Sequence, residues 1–133
     1  MAYLKPPMFV QRVFNPLAMR FGIGGATTLA VAGRRSGKAQ KVPVIPVNHG
    51  GARYLVSTRG EAEWVRNLRA VGTGELTSRG RIQRFRATEV PVAERGPIIA
   101  AYRKVAGRTV TSYFSTLPNP ADHPVFRIEP GAR

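Results

Sequence analysis

The chain has 133 residues, no cysteine and a formal net charge of +14. This length indicates one domain with a single core, and the lack of cysteine excludes disulfides and thiolate metal sites. Because carboxylates are few and the two histidines lie far apart, no protein-built metal centre is expected. The charge predicts an anionic partner, which is nucleic acid, an anionic membrane face or a polyanionic small molecule.

The N-terminal residues 1–22 predict a helix. They place Phe9, Val13 and Leu17 at helical spacing, and Asn15-Pro16 should break or kink the helix. We expect it to pack over the body of the domain; alternatively, a basic amphipathic helix here contacts a membrane or covers a hydrophobic substrate pocket. Since no apolar run reaches the ~20 residues that span a bilayer, and no signal-peptide core is evident, a cytoplasmic protein is expected.

Two predicted strands, residues 27–33 and 41–48, flank a glycine-bounded basic loop. Glycines allow backbone N–H groups to turn outward and form an anion-binding concavity, and guanidinium groups match phosphate and carboxylate oxygens. We interpret the loop as a phosphate-binding site, although composition alone leaves open a solvated basic hairpin loop. Its cations and serine are Arg34, Arg35, Ser36, Lys38 and Lys41.

A turn at His49-Gly50-Gly51 leads into a third predicted strand at residues 52–57, with His49 expected to be a solvated loop residue. A polar turn at residues 57–60 then opens a helix across Glu61–Val71. Trp64 on this helix is either a core residue or the wall of a pocket for a flat ring, with Asn67 supplying amide contacts.

The second half of the chain predicts a hairpin around Arg79-Gly80, a helix over residues 92–106 and a closing strand over residues 123–128. The hairpin strands are residues 74–79 and 81–91, and their arginines either contact nucleic acid or form a solvated edge. The whole chain predicts about six strands and three helices. Hairpin-linked strands in so short a chain favour an antiparallel sheet with barrel-like closure.

The sequence resembles the deazaflavin-dependent nitroreductase family over roughly residues 8–130. The resemblance rests on the run from Thr27 to Lys38, on the Trp-x-x-Asn-Leu helix, and on the stretches Tyr54–Ser57 and His123–Phe126. It implies an α+β split β-barrel like that of FMN-binding proteins, in a single domain of residues 1–133 with a barrel core at 27–130. It also implies an oxidoreductase that uses the 8-hydroxy-5-deazaflavin coenzyme F-420.

Carried over by position, the resemblance assigns the cofactor-binding residues. The basic loop would hold the coenzyme phosphate and oligoglutamate tail, residues 42–44 would line the approach of the ring, and residues 57–60 would contact the deazaflavin and ribityl chain. Trp64 and Asn67 would flank the cofactor. The full set is Arg34, Arg35, Ser36, Gly37, Lys38, Lys41, Val42, Pro43, Val44, Ser57, Thr58, Arg59, Gly60, Trp64 and Asn67.

The chain departs from the family pattern at three points. Glu61-Ala62-Glu63 leads directly into Trp64, where many relatives carry His-Pro or Asn-Pro, and Lys41 stands where arginine is frequent. The tyrosine-rich C-terminal segment of some relatives is represented only by Tyr102, Tyr113 and Phe114, and Tyr113 is the candidate proton donor.

The expected activity is hydride transfer from reduced coenzyme F-420 to a hydrophobic, electron-poor enone, quinone or nitro compound. The alternatives are a small basic barrel that binds nucleic acid, which is disfavoured because aromatics are not clustered on the arginine ribbon, and a relative that uses FMN or haem. FMN is expected to be the weaker ligand. A homodimer is expected by analogy with other split barrels.

Overall fold

The computed structural model describes residues 27–131, and the predicted N-terminal helix of residues 1–22 lies outside them. Across the described range, seven strands form one antiparallel sheet and three α-helices accompany it. Short 3-10 turns lie at Val92–Glu94, Gly107–Val110 and Pro120–Asp122. The strands are β1 Thr27–Ala32, β2 Ala39–Val44, β3 Val47–His49, β4 Ala52–Val56, β5 Thr73–Ser78, β6 Arg81–Glu89 and β7 Val125–Pro130; the helices are α1 Glu63–Val71, α2 Arg95–Ala106 and α3 Thr111–Thr116.

The sheet is curled into a half-barrel, and its strand order shows why. The order is β2-β1-β5-β6-β7-β4-β3, so the two edge strands are consecutive in the chain. A flat sheet would separate them by ~29 Å at ~4.8 Å per strand. The link from Val44 to Val47 spans at most ~11 Å at ~3.6 Å per residue. The edges must therefore come together, which confirms the predicted split-barrel fold.

The predicted strand at residues 41–48 is wrong as a single element. The observed chain forms β2, then breaks at Ile45 and Pro46, and resumes as β3. Proline has no N–H to donate to a ladder, so Pro46 marks the change from one edge of the sheet to the other. This break gives seven strands instead of about six.

The other predicted elements are confirmed with small shifts at their ends. The hairpin β5–β6 turns at Arg79 and Gly80, which both have positive φ angles of 52° and 80°. Helix α1 begins two residues later than predicted and ends at Gly72, whose φ of 80° allows its N–H to donate to Leu68 O at 2.7 Å. The predicted helix at 92–106 begins with a 3-10 turn and continues as α2.

Two hydrophobic clusters divide the interior. In the first, α1 packs its buried Val65 and Leu68 against the inner face of the sheet, which includes Leu29, Phe85 and Phe126. In the second, α2 and α3 cover the β3–β4 end of the sheet through side chains such as Ile98, Tyr102 and Phe114. Helix α1 therefore lies against β1, the strand that leads into the loop before β2.

Candidate functional site

The basic loop between β1 and β2 is closed by its own backbone. Gly33 N–H donates to Lys38 O at 2.8 Å, and Gly37 N–H donates back to Gly33 O at 2.9 Å. Gly37 has a φ of 73°, which favours glycine. At Gly33, a Cβ atom would lie 2.8 Å from Ser36 Oγ, so a larger residue would displace the serine. We call residues 33–41 the cationic loop.

Three cations of the cationic loop have no carboxylate partner in the part of the chain that the structure describes. These are Arg35, Lys38 and Lys41, and all three are exposed. The neighbouring Arg34 differs, because its Nη1 donates to Glu63 Oε2 at 2.8 Å and to Asn67 Oδ1 at 2.8 Å. The loop therefore presents free positive charge on one part and a paired guanidinium on another.

Asn67 anchors the cationic loop to α1. Its side chain is 1% exposed, and its Oδ1 accepts from the Arg34 backbone N–H at 3.1 Å as well as from the guanidinium. Its Nδ2 donates to Gln40 Oε1 at 3.3 Å. Both ends of the amide are thus engaged by the loop. Burial of the amide is compatible with stability because its donors and acceptors are satisfied.

The turn at residues 57–60 is held from the inside. Ser57 is buried, and its hydroxyl donates to Gly60 O at 2.6 Å while its N–H donates to Pro124 O at 2.9 Å. The Nδ1 atom of buried His123 lies 2.8 Å from Ser57 O. The Ser57 side chain therefore shapes the turn and faces the interior. Arg59 of the same turn instead lines a cavity beside Trp64.

Two cavities adjoin the cationic loop. The tryptophan cavity, of about 180 Å³, has walls that include Val31, Val42 and Trp64, with Lys41 and Arg59 as cations. The loop cavity, of about 270 Å³, is lined by Gly33, Arg34, Arg35 and Ser36. Both share Gln40, Glu63 and Asn67 in their linings, so they are neighbours across this trio. One elongated ligand can therefore contact both.

The structure brings together about half of the predicted site residues. Those lining one of the two cavities are Arg34, Arg35, Ser36, Lys41, Val42, Arg59, Trp64 and Asn67. Those lining neither are Gly37, Lys38, Pro43, Val44, Ser57, Thr58, Gly60 and Tyr113. Lys38 is nevertheless exposed on the cationic loop, and Val44 packs against the first hydrophobic cluster. Trp64 contacts Phe126 with ring centroids 6.0 Å apart.

Sequence reasoning missed two residues that the structure places at the site, Gln40 and Glu63. Glu63 lies four residues before Asn67 on α1, a spacing that puts both side chains on one helix face. Its carboxylate is 64% exposed in its pair with Arg34. The hydrogen bond from Arg34 lowers the pKa of Glu63 below its ordinary value of 4.5, so the carboxylate is charged near neutral pH. The i, i+4 spacing of Glu63 and Asn67 was the available signal.

Helix α1 is also fixed by a charged cluster on its other side. Arg69 makes a bidentate pair with Glu61, at 2.7 and 3.0 Å, and a second with Glu89, at 2.7 and 2.9 Å. Glu89 also accepts from buried Arg95 at 3.3 Å. The bonds from Arg69 lower the pKa of the nearly buried Glu61. This cluster ties the start and end of α1 to β6 and α2.

The candidate proton donor Tyr113 is half-buried against the second hydrophobic cluster. Burial raises the pKa of the neighbouring Tyr102 to about 12, while the positive charge of Arg59 acts in the opposite direction and Tyr113 adds to the rise. Tyr102 is thus within electrostatic range of both Tyr113 and Arg59. Neither tyrosine lines the tryptophan cavity or the loop cavity.

Two larger concavities share no lining residue with the tryptophan cavity or the loop cavity. One, of about 490 Å³, has small side chains such as Ala30 and Ala32 at its floor and contains the Arg84–Glu75 ion pair. The other, of about 560 Å³, lies at the far end of β1 beside Arg53, Arg79 and Arg81. Phe85 lines the first concavity, whereas no aromatic side chain lines the second. Within residues 27–131, no helix is long and apolar enough to cross a membrane, and no group of three histidines and carboxylates is placed to bind a metal.

A curled antiparallel half-barrel whose two edge strands come together defines the split β-barrel fold class. A family model of the F420H(2)-dependent quinone reductases matches residues 8–116, and the chain belongs to that family. It is therefore an oxidoreductase whose cofactor is coenzyme F-420. A comparison with curated proteins gives no significant match.

Solved structures share the fold at low sequence identity. An F420-H2 dependent reductase is 21% identical, with a TM-score of 0.54 over 79% of this chain and 94% of the other. A protein described as a domain-swapped dimer is 21% identical, with a TM-score of 0.55 over 79% and 80%. The haem storage protein HutZ of Vibrio cholerae is 14% identical, with a TM-score of 0.54 over 84% of each chain. The fold by itself thus accommodates more than one cofactor, whereas the family specifies F-420.

Proposed function

We propose that the cationic loop binds the anionic part of coenzyme F-420 and that the tryptophan cavity receives its ring. The observation that carries this proposal is the position of the exposed cations of the loop. Lys41 lines the cavity walled by Trp64, Arg35 lines the adjoining loop cavity, and Lys38 is exposed on the same loop. A phosphate and several carboxylates match such cations, and a flat aromatic system matches an indole wall. The residues present therefore fit the cofactor that the family uses.

Within this site, the predicted residues have three kinds of role. Arg35, Lys38 and Lys41 bind the anionic tail directly, because none of them has a carboxylate partner within residues 27–131. Asn67 and Ser57 act as positioning residues, since Asn67 holds the loop through Arg34 and Gln40, and Ser57 holds the turn beside Arg59. Thr58, Gly60, Pro43 and Val44 shape the backbone around the ring, and Gly37 permits the loop turn.

The proposed reaction reduces an electron-poor, hydrophobic enone, quinone or nitro compound. When bound in its reduced form, coenzyme F-420 supplies a hydride, and the acceptor also gains a proton. The protein orients the acceptor against the ring, excludes water through the apolar walls at Val31 and Val42, and places a proton at the Tyr113 hydroxyl. Replacing Tyr113 by Phe tests the last role, because an unchanged rate and pH profile would exclude it.

Titration of the purified protein with coenzyme F-420 and separately with FMN tests the proposal. We expect saturable binding of F-420, weaker binding of FMN, and turnover of a quinone with reduced F-420. Binding of neither compound at up to ~1 mM, which corresponds to only about 4 kcal/mol, would overturn the assignment of the site.

The proposal extends to the quaternary structure and the location of the protein. A homodimer is supported by the similar fold of a protein described as a domain-swapped dimer, and size-exclusion chromatography with light scattering tests it. Peripheral membrane contact through residues 1–22 and a cytoplasmic location stay predictions from the sequence. Flotation with liposomes, with and without residues 1–20, tests the membrane contact.

A further inference from the structure

We infer that Glu63 is an internal counter-ion of the cationic loop, which an anionic ligand must displace from Arg34 when it binds. This inference rests on the proposed function, because it concerns how the same site discriminates among anions. Glu63 Oε2 accepts from Arg34 Nη1 at 2.8 Å. Its carboxylate therefore already occupies a position that a phosphate or carboxylate oxygen of a ligand would take.

The contact with Glu63 is not needed to hold Arg34 in place. Asn67 Oδ1 accepts from both the backbone N–H and the guanidinium of Arg34, at 3.1 and 2.8 Å, and Asn67 is buried. Glu63, by contrast, is 64% exposed. Arg34 thus has one buried, rigid partner and one exposed partner that solvent can release. The exposed partner is the one that a ligand can replace without disturbing the anchor.

Glu63 also stands where an elongated ligand has to pass. It is one of the three residues that line both the tryptophan cavity and the loop cavity. Among those three residues it alone carries a charge, and that charge is negative. An anionic tail that leads from one cavity into the other is therefore repelled by Glu63 until the carboxylate swings away from Arg34.

Displacement favours ligands with several negative charges. A single monoanion that takes the place of Glu63 exchanges one ion pair with Arg34 for another and gains little. A ligand that also reaches Arg35 and Lys38 makes additional ion pairs with side chains that have no competitor in the described residues. Glu63 is thus a specificity-determining residue that lowers the occupancy of the site by simple anions.

The test measures ligand affinity in Glu63→Gln, with Glu75→Gln as the matched control. Glu75 also pairs with an arginine, Arg84 at 3.1 Å, but lines neither the tryptophan cavity nor the loop cavity. We expect Glu63→Gln to bind coenzyme F-420 about threefold more tightly than the wild type, as suits the loss of one exposed ion pair. The gain should shrink at ~1 M salt, where the Debye length is about 3 Å. Glu75→Gln should leave the affinity unchanged.

Two further ligands separate charge competition from a general loosening of the site. A deazaflavin that carries only the neutral ribityl chain should bind Glu63→Gln and wild type equally. Inorganic pyrophosphate should bind Glu63→Gln more tightly than it binds the wild type. This measurement tests the inference even if the wild type binds no deazaflavin. That second outcome would overturn the proposed function instead. A second variant, Glu63→Ser, should reproduce the result with a different side chain at the start of α1.

Unchanged or weaker binding of F-420 and of pyrophosphate in both variants would overturn the inference. Weaker binding would mean that Glu63 supports the binding conformation of Arg34. Equal tightening for the neutral deazaflavin would likewise overturn it, because the effect would then not depend on ligand charge. Thermal unfolding of each variant confirms that the comparison is made between folded proteins.

Discussion

The cationic loop and the β5–β6 hairpin are both rich in positive charge, but they differ in everything else that makes a binding site. The cationic loop is closed by backbone hydrogen bonds, anchored by buried Asn67 and placed beside an aromatic cavity. The hairpin carries Arg79, Arg81 and Arg84 at exposed positions, and Arg79 and Arg81 line a concavity that has no aromatic side chain. The difference teaches that positive charge attracts an anion, whereas an anchored loop and an adjacent cavity decide where the anion binds.

The sharpest way to break this comparison is to reverse one charge in each region. Arg35→Glu should weaken binding of coenzyme F-420 by about 30-fold, in line with the loss of about 2 kcal/mol from a charge-assisted hydrogen bond. Lys38→Glu should act similarly. Fluorescence titration at fixed ionic strength measures both.

Arg81→Glu is the matched control for this charge reversal, since it makes the same change in net charge at an exposed position outside the site. It should alter the affinity by less than about threefold, an effect of long-range charge alone. If the three variants act alike, affinity comes from diffuse charge and the cationic loop is not the site.

A second prediction concerns the anchor. Asn67→Ala removes the acceptor for two Arg34 donors and the donor for Gln40, so the loop should lose its fixed geometry. We expect affinity for F-420 to fall about tenfold and unfolding free energy to fall by about 1–3 kcal/mol, the usual cost of leaving buried polar groups unpaired. Titration and chemical denaturation measure the two effects separately. Full retention of affinity would show that the loop holds its shape without α1.

A third prediction concerns acid stability. Because the pKa of Glu61 is lowered by Arg69 in the folded state, its ion pair contributes stability that is present above its ordinary value of 4.5 and is lost as pH falls through the lowered pKa. Glu61→Gln should therefore lower stability at pH 7 by about 1 kcal/mol and flatten its decline in acid. Denaturation curves from pH 7 to pH 3 measure this. An identical acid profile in the variant would contradict the assignment.

The smallest expected effect is in the hairpin. Arg79 adopts a φ of 52° before Gly80, a conformation that costs most residues about 1 kcal/mol and that asparagine adopts readily. Arg79→Asn should therefore raise the unfolding free energy by up to about 1 kcal/mol and leave F-420 affinity unchanged. Thermal unfolding and the same titration check both statements. A loss of affinity for F-420 would show that the hairpin takes part in cofactor binding, contrary to this prediction.

The sequence was informative wherever a local pattern determines the structure. Gly33 and Gly37 in the cationic loop, the Arg79-Gly80 turn and the apolar stripe of α1 all predicted the elements that form. The split between β2 and β3 was missed because the two strands lie on opposite edges of one sheet, and only closure of the barrel makes Pro46 the dividing point.

The site shows a similar limit of local patterns. Residue type alone does not tell which residues bind the ligand and which hold the site in shape. Each residue's role depends on contacts with partners that are distant in the chain. Ser57 is polar and glycine-adjacent like a ligand-binding residue, yet it faces inward because Pro124 and His123 hold its backbone. Arg34 and Arg35 are identical neighbours, yet only Arg34 reaches the carboxylate on α1.

The position of β7 has a consequence for how the protein reaches its native state. This strand lies between β6 and β4, and β4 has only β3 and β7 as neighbours. Until residues 125–130 have been synthesised, the β3–β4 hairpin has nothing to join it to the rest of the sheet. Because these pairings are far apart in sequence, folding should be slow for a protein of this size. The unpaired edges of β4 and β6 should then be open to chaperones, or to aggregation, while the chain is being made.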